Sequence, residues 1–546
     1  MNTARALYQM VRADFLERVR RYSFLLTLAF SVYLGYVVYS GQLTLQLSDY
    51  RGENNSAWLG AVVGLVGSVW LSLVGFYVVK NAIQRDRQTR VGQILATTPI
   101  SKGFYTLSKT LSNFAVLAAM VLVLAVAALV LQLMLAGAAH VDLLALLAPV
   151  LVVGLSAVAV TAALAVLFES LPVLRGGVGN IAYFFLWTTL LTLGAMTMEG
   201  GGPSPTARPF TDFTGLVTVM TQMQATVHAL DPQYQGGASF SLGGLHPTTK
   251  TFLYTGVRWT AEVLLSRAMM VAIALGLALA AALFFDRFDP ARASWFGAKG
   301  PKPAKKGRAA LAAAAVVAEA NSVVEAQAVH ALPHLTPLAR GEAGAVVRTR
   351  FVALVAAELR LLLRGHGWWW YLVAAGLWIG CVASPLDAAR SGVFVVAWIW
   401  PALVWSQMGT REAQFATGPL IFSAPRAVPR QLLALFAAGV LVAMLTGGGL
   451  AVRMALAGDM VGLGAWAAGA MFIPALALAL GVTTGSRKFF EALYTAWWYI
   501  GPLHHIRKLD FMGTTAESST PVGYLVAAIA LVAVAYFWRK VWLARD

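Results

Sequence analysis

Charge is scarce in this chain. Asp, Glu, Lys and Arg make up 12% of its residues against 59% hydrophobic, where a soluble domain carries about 25% charged residues. There is too little polar side chain to cover a soluble surface, so lipid is the expected solvent for much of it. Acid is scarcer than base. The 24 Asp and Glu face 41 Lys and Arg, a net charge of +17. That balance invites a nucleic-acid partner, but the bases gather beside apolar runs on alternate loops, the positive-inside pattern of membrane topology, so no nucleic acid is expected. Cysteine is limited to Cys381. One cysteine excludes an intrachain disulfide framework, and its apolar surroundings fit a small buried hydrophobe. Catalytic signatures are missing too. There is no G-x-x-x-x-G-K-[ST] phosphate loop, no H-E-x-x-H zinc motif and no G-x-S-x-G elbow. His504-His505 would need further ligands, with Asp510 and Glu517 nearest. No span carries a row of acids at its centre, which argues against a proton-coupled pump.

What the chain does have is apolar runs long enough to cross a bilayer, which takes about 20 residues. The first half offers 22–40, 57–79, 107–137, 143–168, 178–197 and 260–285. The second offers 369–385, 391–408, 431–452, 461–484, 489–503 and 521–538. The first run follows Arg12, Arg18, Arg20 and Arg21 and is too long for a signal-peptide core, so it reads as a retained span. The run at 489–503 is short enough to be re-entrant. The fold expected is an all-α integral membrane protein with about 12 transmembrane helices.

Lys and Arg mark the N-terminus, 80–110, 286–367, 409–430, 485–488 and the C-terminus. Loops 41–56, 138–142, 386–390 and 453–460 carry few or balanced charges. Both termini are therefore expected in the cytoplasm of a plasma (inner) membrane protein, although Arg507 and Lys508 weaken the pattern locally. The loop 198–258 falls outside, with an apolar stretch from Phe213 to Leu230 that lies in the interface, caps the outer mouth or forms a plain surface loop. Glu169, Glu262, Arg267, Arg453 and Glu491 sit near span ends, where functional roles and snorkelling both explain them. Gly60 and Gly64 form a small-xxx-small pair suited to close helix packing. Trp368, Trp369, Trp370 and Tyr371 open one span as an aromatic belt would.

Dividing the chain at a basic linker, 287–346, exposes a repeat between 1–286 and 347–546. Asp14-Phe15 with Arg20 matches Glu358-Leu359 with Arg364. RDRQTRVGQILATTP, 85–99, aligns without a gap on REAQFATGPLIFSAP, 411–425. Arg85 pairs with Arg411, Asp86 with Glu412, Gln88 with Gln414, Gly92 with Gly418 and Pro99 with Pro425. Each segment follows the second span of its half, and an even number of spans separates them, so the repeat is parallel.

These residues resemble the ABC-2 family of ABC transporter permeases. In that family a six-span domain carries a cytoplasmic coupling helix between its second and third spans, with an acid, a Gly, a Leu-rich turn and a Pro. Asp86, Gly92, Ile94, Leu95, Pro99 and Lys102 look like that pattern, and Glu412, Gly418, Leu420, Ile421 and Pro425 like a second copy. The resemblance implies two tandem six-helix domains and ATPase contacts at Arg85, Asp86, Gln88, Gly92, Leu95, Pro99, Arg411, Glu412, Gln414, Gly418, Ile421 and Pro425. It implies two copies of a separate ABC ATPase carrying ATP and Mg, no cofactor in this chain, and an exporter that is not itself an enzyme. Gly92 and Gly418 would permit close approach to the ATPase or end a helix, and Pro99 and Pro425 would stop the segments. An ion-coupled secondary transporter and a membrane-embedded enzyme are the alternatives. Cargo is not legible beyond a leaning toward apolar or amphipathic molecules.

Overall fold

The computed structural model describes all residues except 1–2, 21, 41–42, 136–140, 199–211, 235–236, 238, 243–249, 289–342, 416, 425, 505, 507–508, 515–520 and 544–546. Most of the linker, the Gly/Pro-rich start of the 198–258 loop, His505, Arg507, Lys508, Glu517 and Pro425 therefore lie outside the described residues.

In the first half, α1 (Thr3–Val19) precedes α2 (Tyr22–Tyr39) and α3 (Ser56–Val79). Two short helices follow, α4 (Ala82–Gln88) and α5 (Val91–Thr97), then the long α6 (Lys102–Leu135). Next come α7 (Leu143–Ala148) and α8 (Gly154–Ser170), joined by a π turn at Pro149–Val153. Pro149 has no N–H to give the helical ladder, which favours such a break. The half ends with α9 (Gly177–Met198), α10 (Leu216–Leu230) and α11 (Ala261–Phe284).

In the second half, α12 (Ala343–Leu363) leads into α13 (Trp368–Ala383). The next expected span is broken into α14 (Leu386–Ala388), a π turn, α15 (Phe394–Ile399) and α16 (Ala402–Trp405). Short helices α17 (Arg411–Gln414) and α18 (Gly418–Phe422) precede α19 (Ala427–Leu456) and α20 (Met460–Thr484). Last come α21 (Arg487–Trp498), continued by a π turn, and α22 (Pro521–Leu543).

Nine helices among the described residues are long and apolar enough to cross a membrane. The run expected at 22–40 forms the apolar, 18-residue α2, and those at 369–385 and 489–503 form shorter helices. Leu122, Val126, Val130 and Leu133 on α6, and Val271, Leu275, Leu279 and Leu283 on α11, are exposed at three- or four-residue spacing. Such stripes are the faces a helix turns to lipid, and they would be a liability in water. The chain is a helical, multi-pass membrane protein. Its buried apolar side chains form two main cores, one drawn from Phe24 to Ala274 and one from Leu362 to Ala535.

Four short strands accompany the helices. β1 (Leu43–Gln46) pairs antiparallel with β3 (Ser239–Leu242), and β2 (Tyr50–Gly52) pairs in parallel with β4 (Lys250–Phe252). Leu-Thr-Leu-Gln alternates apolar and polar residues, as strands do, and Thr44, Leu45 and Gln46 are all buried. The stretch beginning at Phe213 becomes α10, with Val217, Val219, Met220, Met223 and Val227 buried. It packs on α9 and α3 and so covers one end of the first half. A Cβ on Gly60 would lie 2.4 Å from the Leu146 carbonyl oxygen, and one on Gly64 3.0 Å from Pro149. The small pair lets α3 lie against the backbone of α7 and the π turn.

Candidate functional site

The first inter-span segment is bedded from its root outward. Lys80 is extended and Asn81 turns left-handed (φ 85°), which redirects the chain after α3. Glu169, at the end of α8, accepts the N–H groups of Asn81, Ala82, Ile83 and Gln84, the latter three at 2.9, 2.7 and 3.2 Å. One carboxylate thus satisfies the orphan donors at the start of α4 and meets the positive end of its dipole. Arg85 pairs with Asp14 at 2.7 Å and with Glu17 on α1. Asp86 is buried, accepting from the Tyr105 hydroxyl at 2.7 Å and pairing with Lys109 at 2.7 Å. Lys109 also reaches Asp14 at 2.7 Å. Burial raises the Asp14 carboxyl, but Lys109, Arg18 and Arg85 outweigh it and hold it below its ordinary value. Arg87 reaches Asp286 at 2.5 Å. Beneath the segment Ile83, Tyr105, Val166, Ala281 and Phe285 form a separate apolar cluster, with Leu95 against it.

The second segment is held in a similar way. Arg411 pairs with Glu358 on α12 at 3.0 Å. Glu412 is buried, accepts from Gln431 Nε2 at 2.7 Å and meets Arg539 of α22 at 3.3 Å. Gln414 accepts from Arg487 at 2.8 Å. Burial pushes the Glu358 carboxyl up, with Arg411 acting against it.

The equivalences run deeper than the aligned segments. The separation that carries Arg85 onto Arg411 also carries Asp86 onto Glu412 and Tyr105 onto Gln431, so the buried acid meets the same position of the following helix twice. It also carries Ser72 toward Trp398. The Tyr183 hydroxyl donates to the Ser72 carbonyl at 2.6 Å, and the Tyr494 hydroxyl to the Trp398 carbonyl at 2.7 Å. Trp187 and Trp498 share the separation of that tyrosine pair. Trp187 donates to Ser72 Oγ and Trp498 to the Val395 carbonyl, each at 2.8 Å.

Three details depart from the sequence expectation. Each segment is two short helices rather than a single coupling helix, broken at Arg90 (φ 62°) in the first and between Gln414 and Gly418 in the second. Asp86 and Glu412, expected as ATPase contacts, face inward. Gly92 and Gly418 also face the protein: a Cβ would lie 2.6 Å from the Phe288 ring at one and 3.3 Å from the Trp542 ring at the other. The outward surface is carried by other residues. Ile94 (67% exposed) and Leu420 (78% exposed) sit at equivalent positions, beside Val91 and Phe415. Gln88, Pro99 and Gln414 are exposed, and Arg85, Leu95, Arg411 and Ile421 half-buried.

The two halves meet along α9 and α21. Lys80 Nζ donates to Asn180 Oδ1 at 2.7 Å and to the carbonyls of Leu174 and Gly176 at 3.1 Å. Asn180 donates on to Glu491. From the other side Lys488 Nζ donates to the carbonyls of Tyr77, at 2.7 Å, and of Lys80. Farther along, Phe184 meets Tyr499 and Phe185 meets Trp498, with ring centroids 5.6 and 6.2 Å apart. These contacts put α1, α12, both inter-span segments and the end of α22 on one face, the face expected to be basic.

Of the five charges near span ends, Glu169, Arg267 and Glu491 are buried. Arg267 pairs with Asp212 at 3.0 Å, and Asp212 accepts the Val217 and Thr218 N–H groups that open α10. Arg453 donates to the Val382 carbonyl, and Glu262 is exposed. Lys80, Lys109, Asn180, Asp212 and Lys488 were not singled out from the sequence. A lone base beside an apolar run gives no sign of its partner, although position within one turn of a span end is a signal shared by Lys80 and Lys488. Among the described residues no group of three His, Cys, Asp or Glu could hold a metal ion. Cys381 is buried. No family model, curated protein or solved structure matches the chain.

Proposed function

We propose that the chain is the membrane-spanning permease subunit of an ATP-driven exporter of the ABC-2 kind, built from two tandem six-span domains and driven by separate ATPase subunits. The observation that carries this reading is the pair of inter-span segments, each seated by an arginine on an acid of the helix that opens its half and by a buried acid on the following helix. A cytoplasmic hydrolysis event must reach helices in lipid through something that moves as a body, and a segment anchored at several points can do so. Ile94 and Leu420 offer each segment one outward apolar contact at the same place. Asn180 and Glu491 occupy equivalent positions and bond to one another, as residues beside a two-fold axis between like domains do. That supports a pathway between the halves, lined near α9 and α21 by aromatic side chains suited to an apolar or amphipathic cargo. The direction of transport rests on the family resemblance alone. The test is hydrolysis: the purified chain alone turns over no ATP, and activity appears with a co-purifying ATPase. Hydrolysis by the chain alone refutes the reading.

A second reading, an ion-coupled carrier, draws on Glu491, a buried carboxylate between the halves. It requires that Glu491→Gln abolish ion-driven transport in the absence of any ATPase.

A further inference from the structure

The two seats are nearly alike, but the seam between the halves is not. We propose that Lys488, with Arg487, is a single strap that ties the two inter-span segments to one another. Lys488 reaches across the seam to the carbonyls of Tyr77 and Lys80. The Tyr77 carbonyl is a last-turn acceptor of α3 and the Lys80 carbonyl belongs to its C-cap, and a cation there is favoured by the negative end of the helix dipole. Lys80 immediately precedes Asn81, the turn from which α4 departs. The neighbouring Arg487 holds Gln414 of the second segment at 2.8 Å. One dipeptide at the start of α21 therefore touches both segments: one through a side chain of α17, the other through the backbone at its root. Glu491, one turn further on, adds a parallel link through Asn180 to the Lys80 ammonium.

The counterpart is missing from the first half. The separation that relates Tyr183 to Tyr494 places Gly176 and Gly177 where the second half has Arg487 and Lys488. Gly177 faces Leu403, the equivalent of Tyr77, and a Cβ there would lie 2.4 Å from the leucine side chain and 2.6 Å from Glu491 Oε1. Gly176 and Gly177 have no side chain to reach across the seam, so the strap exists once. A disturbance of either segment is felt by the other, because coupling between sites is reciprocal. Under the transporter reading, on which only this consequence rests, the strap keeps the two ATPase strokes in step.

The experiment needs no ATPase, so its failure is distinct from failure of that reading. The full chain in lipid nanodiscs is followed by hydrogen exchange. Glu412→Gln loosens the second segment, and exchange is read separately in 411–422 and in 82–88. In the otherwise native chain both peptides accelerate several-fold. With Lys488→Met added, 411–422 still accelerates while 82–88 changes less than twofold. Lys488→Arg, which keeps a cation and donors at the same carbonyls, restores the response of 82–88. A Lys488 that served packing alone would change the basal exchange without altering this transmission. Should Lys488→Met fail to fold, Gln414→Ala cuts the other end of the strap and gives the same test. The inference is overturned if Glu412→Gln leaves 82–88 unchanged in the otherwise native chain, or if the response survives the cut.

Discussion

Asp86 is the best place to ask whether the first inter-span segment is bolted down or merely rests on its helix. Its side chain is 5% exposed and that of Lys109 is 4% exposed. Removing one member of a buried pair leaves the other charge without its partner, a loss of about 3–5 kcal/mol. Lys109 keeps Asp14 at 2.7 Å, so the lower end of that range applies to Asp86→Ala. Opening of the segment should then become about a hundredfold easier, since each 1.4 kcal/mol is a factor of about ten. Tyr105→Phe removes only the hydroxyl donor and costs about 1.5 kcal/mol. Hydrogen exchange across 82–97 in the purified protein reads these losses as local opening. Asp86→Ala and Lys109→Met act on one contact, so the double variant should fall short of their sum by about 1–3 kcal/mol. Exchange accelerated less than threefold by Asp86→Ala, or full additivity in the double variant, would refute this anchoring.

The other expectations concern pH, topology and the outward face. Because Asp14 is held below its unfolded value, near 3.9, the stability it contributes is complete above that pH and is lost as the pH falls through its lower folded value. The stability gap between Asp14→Asn and the native chain should therefore be flat from pH 7 to about pH 5 and shrink below about pH 4. External thiol labelling in intact cells, on a Cys381→Ala background, should miss Lys305→Cys and mark a cysteine placed at exposed Gln233; labelling of the former would reverse the orientation. Ile94→Asp and Leu420→Asp should leave the chain folded, each weakening ATPase binding at its own seat at least tenfold, whereas unchanged capture by both variants would assign the docking face elsewhere.

Most spans were legible because about 20 apolar residues in a row have few other uses. The aligned segments 85–99 and 411–425 were legible because they are polar, where chance likeness between apolar helices does not intrude. The sense of the matched residues was not. Asp86, Gly92, Glu412 and Gly418 read as ATPase contacts of a coupling helix, yet they turn inward, because each partner is supplied by a distant element: Lys109, Phe288, Arg539 and Trp542. The split of each segment into two helices follows from left-handed or non-helical residues that are not glycine, such as Arg90, which sequence does not announce. The strands arise from pairing between residues 43–52 and 239–252, a long-range contact that neither partner specifies by itself. The seam was hidden for the same reason: Lys488 looks like an ordinary flanking base of its own span and acts on the end of another.

The central claim is that two equivalent seats carry two copies of one motor. Native mass spectrometry of the complex, isolated from its own membranes through a tag on this chain, measures it directly. The account predicts one copy of this chain with two copies of a single nucleotide-binding ATPase, falling to one ATPase in either Ile94→Asp or Leu420→Asp and to none in the double variant. A chain that arrives free of any stoichiometric ATPase, in a preparation that still transports, would contradict it.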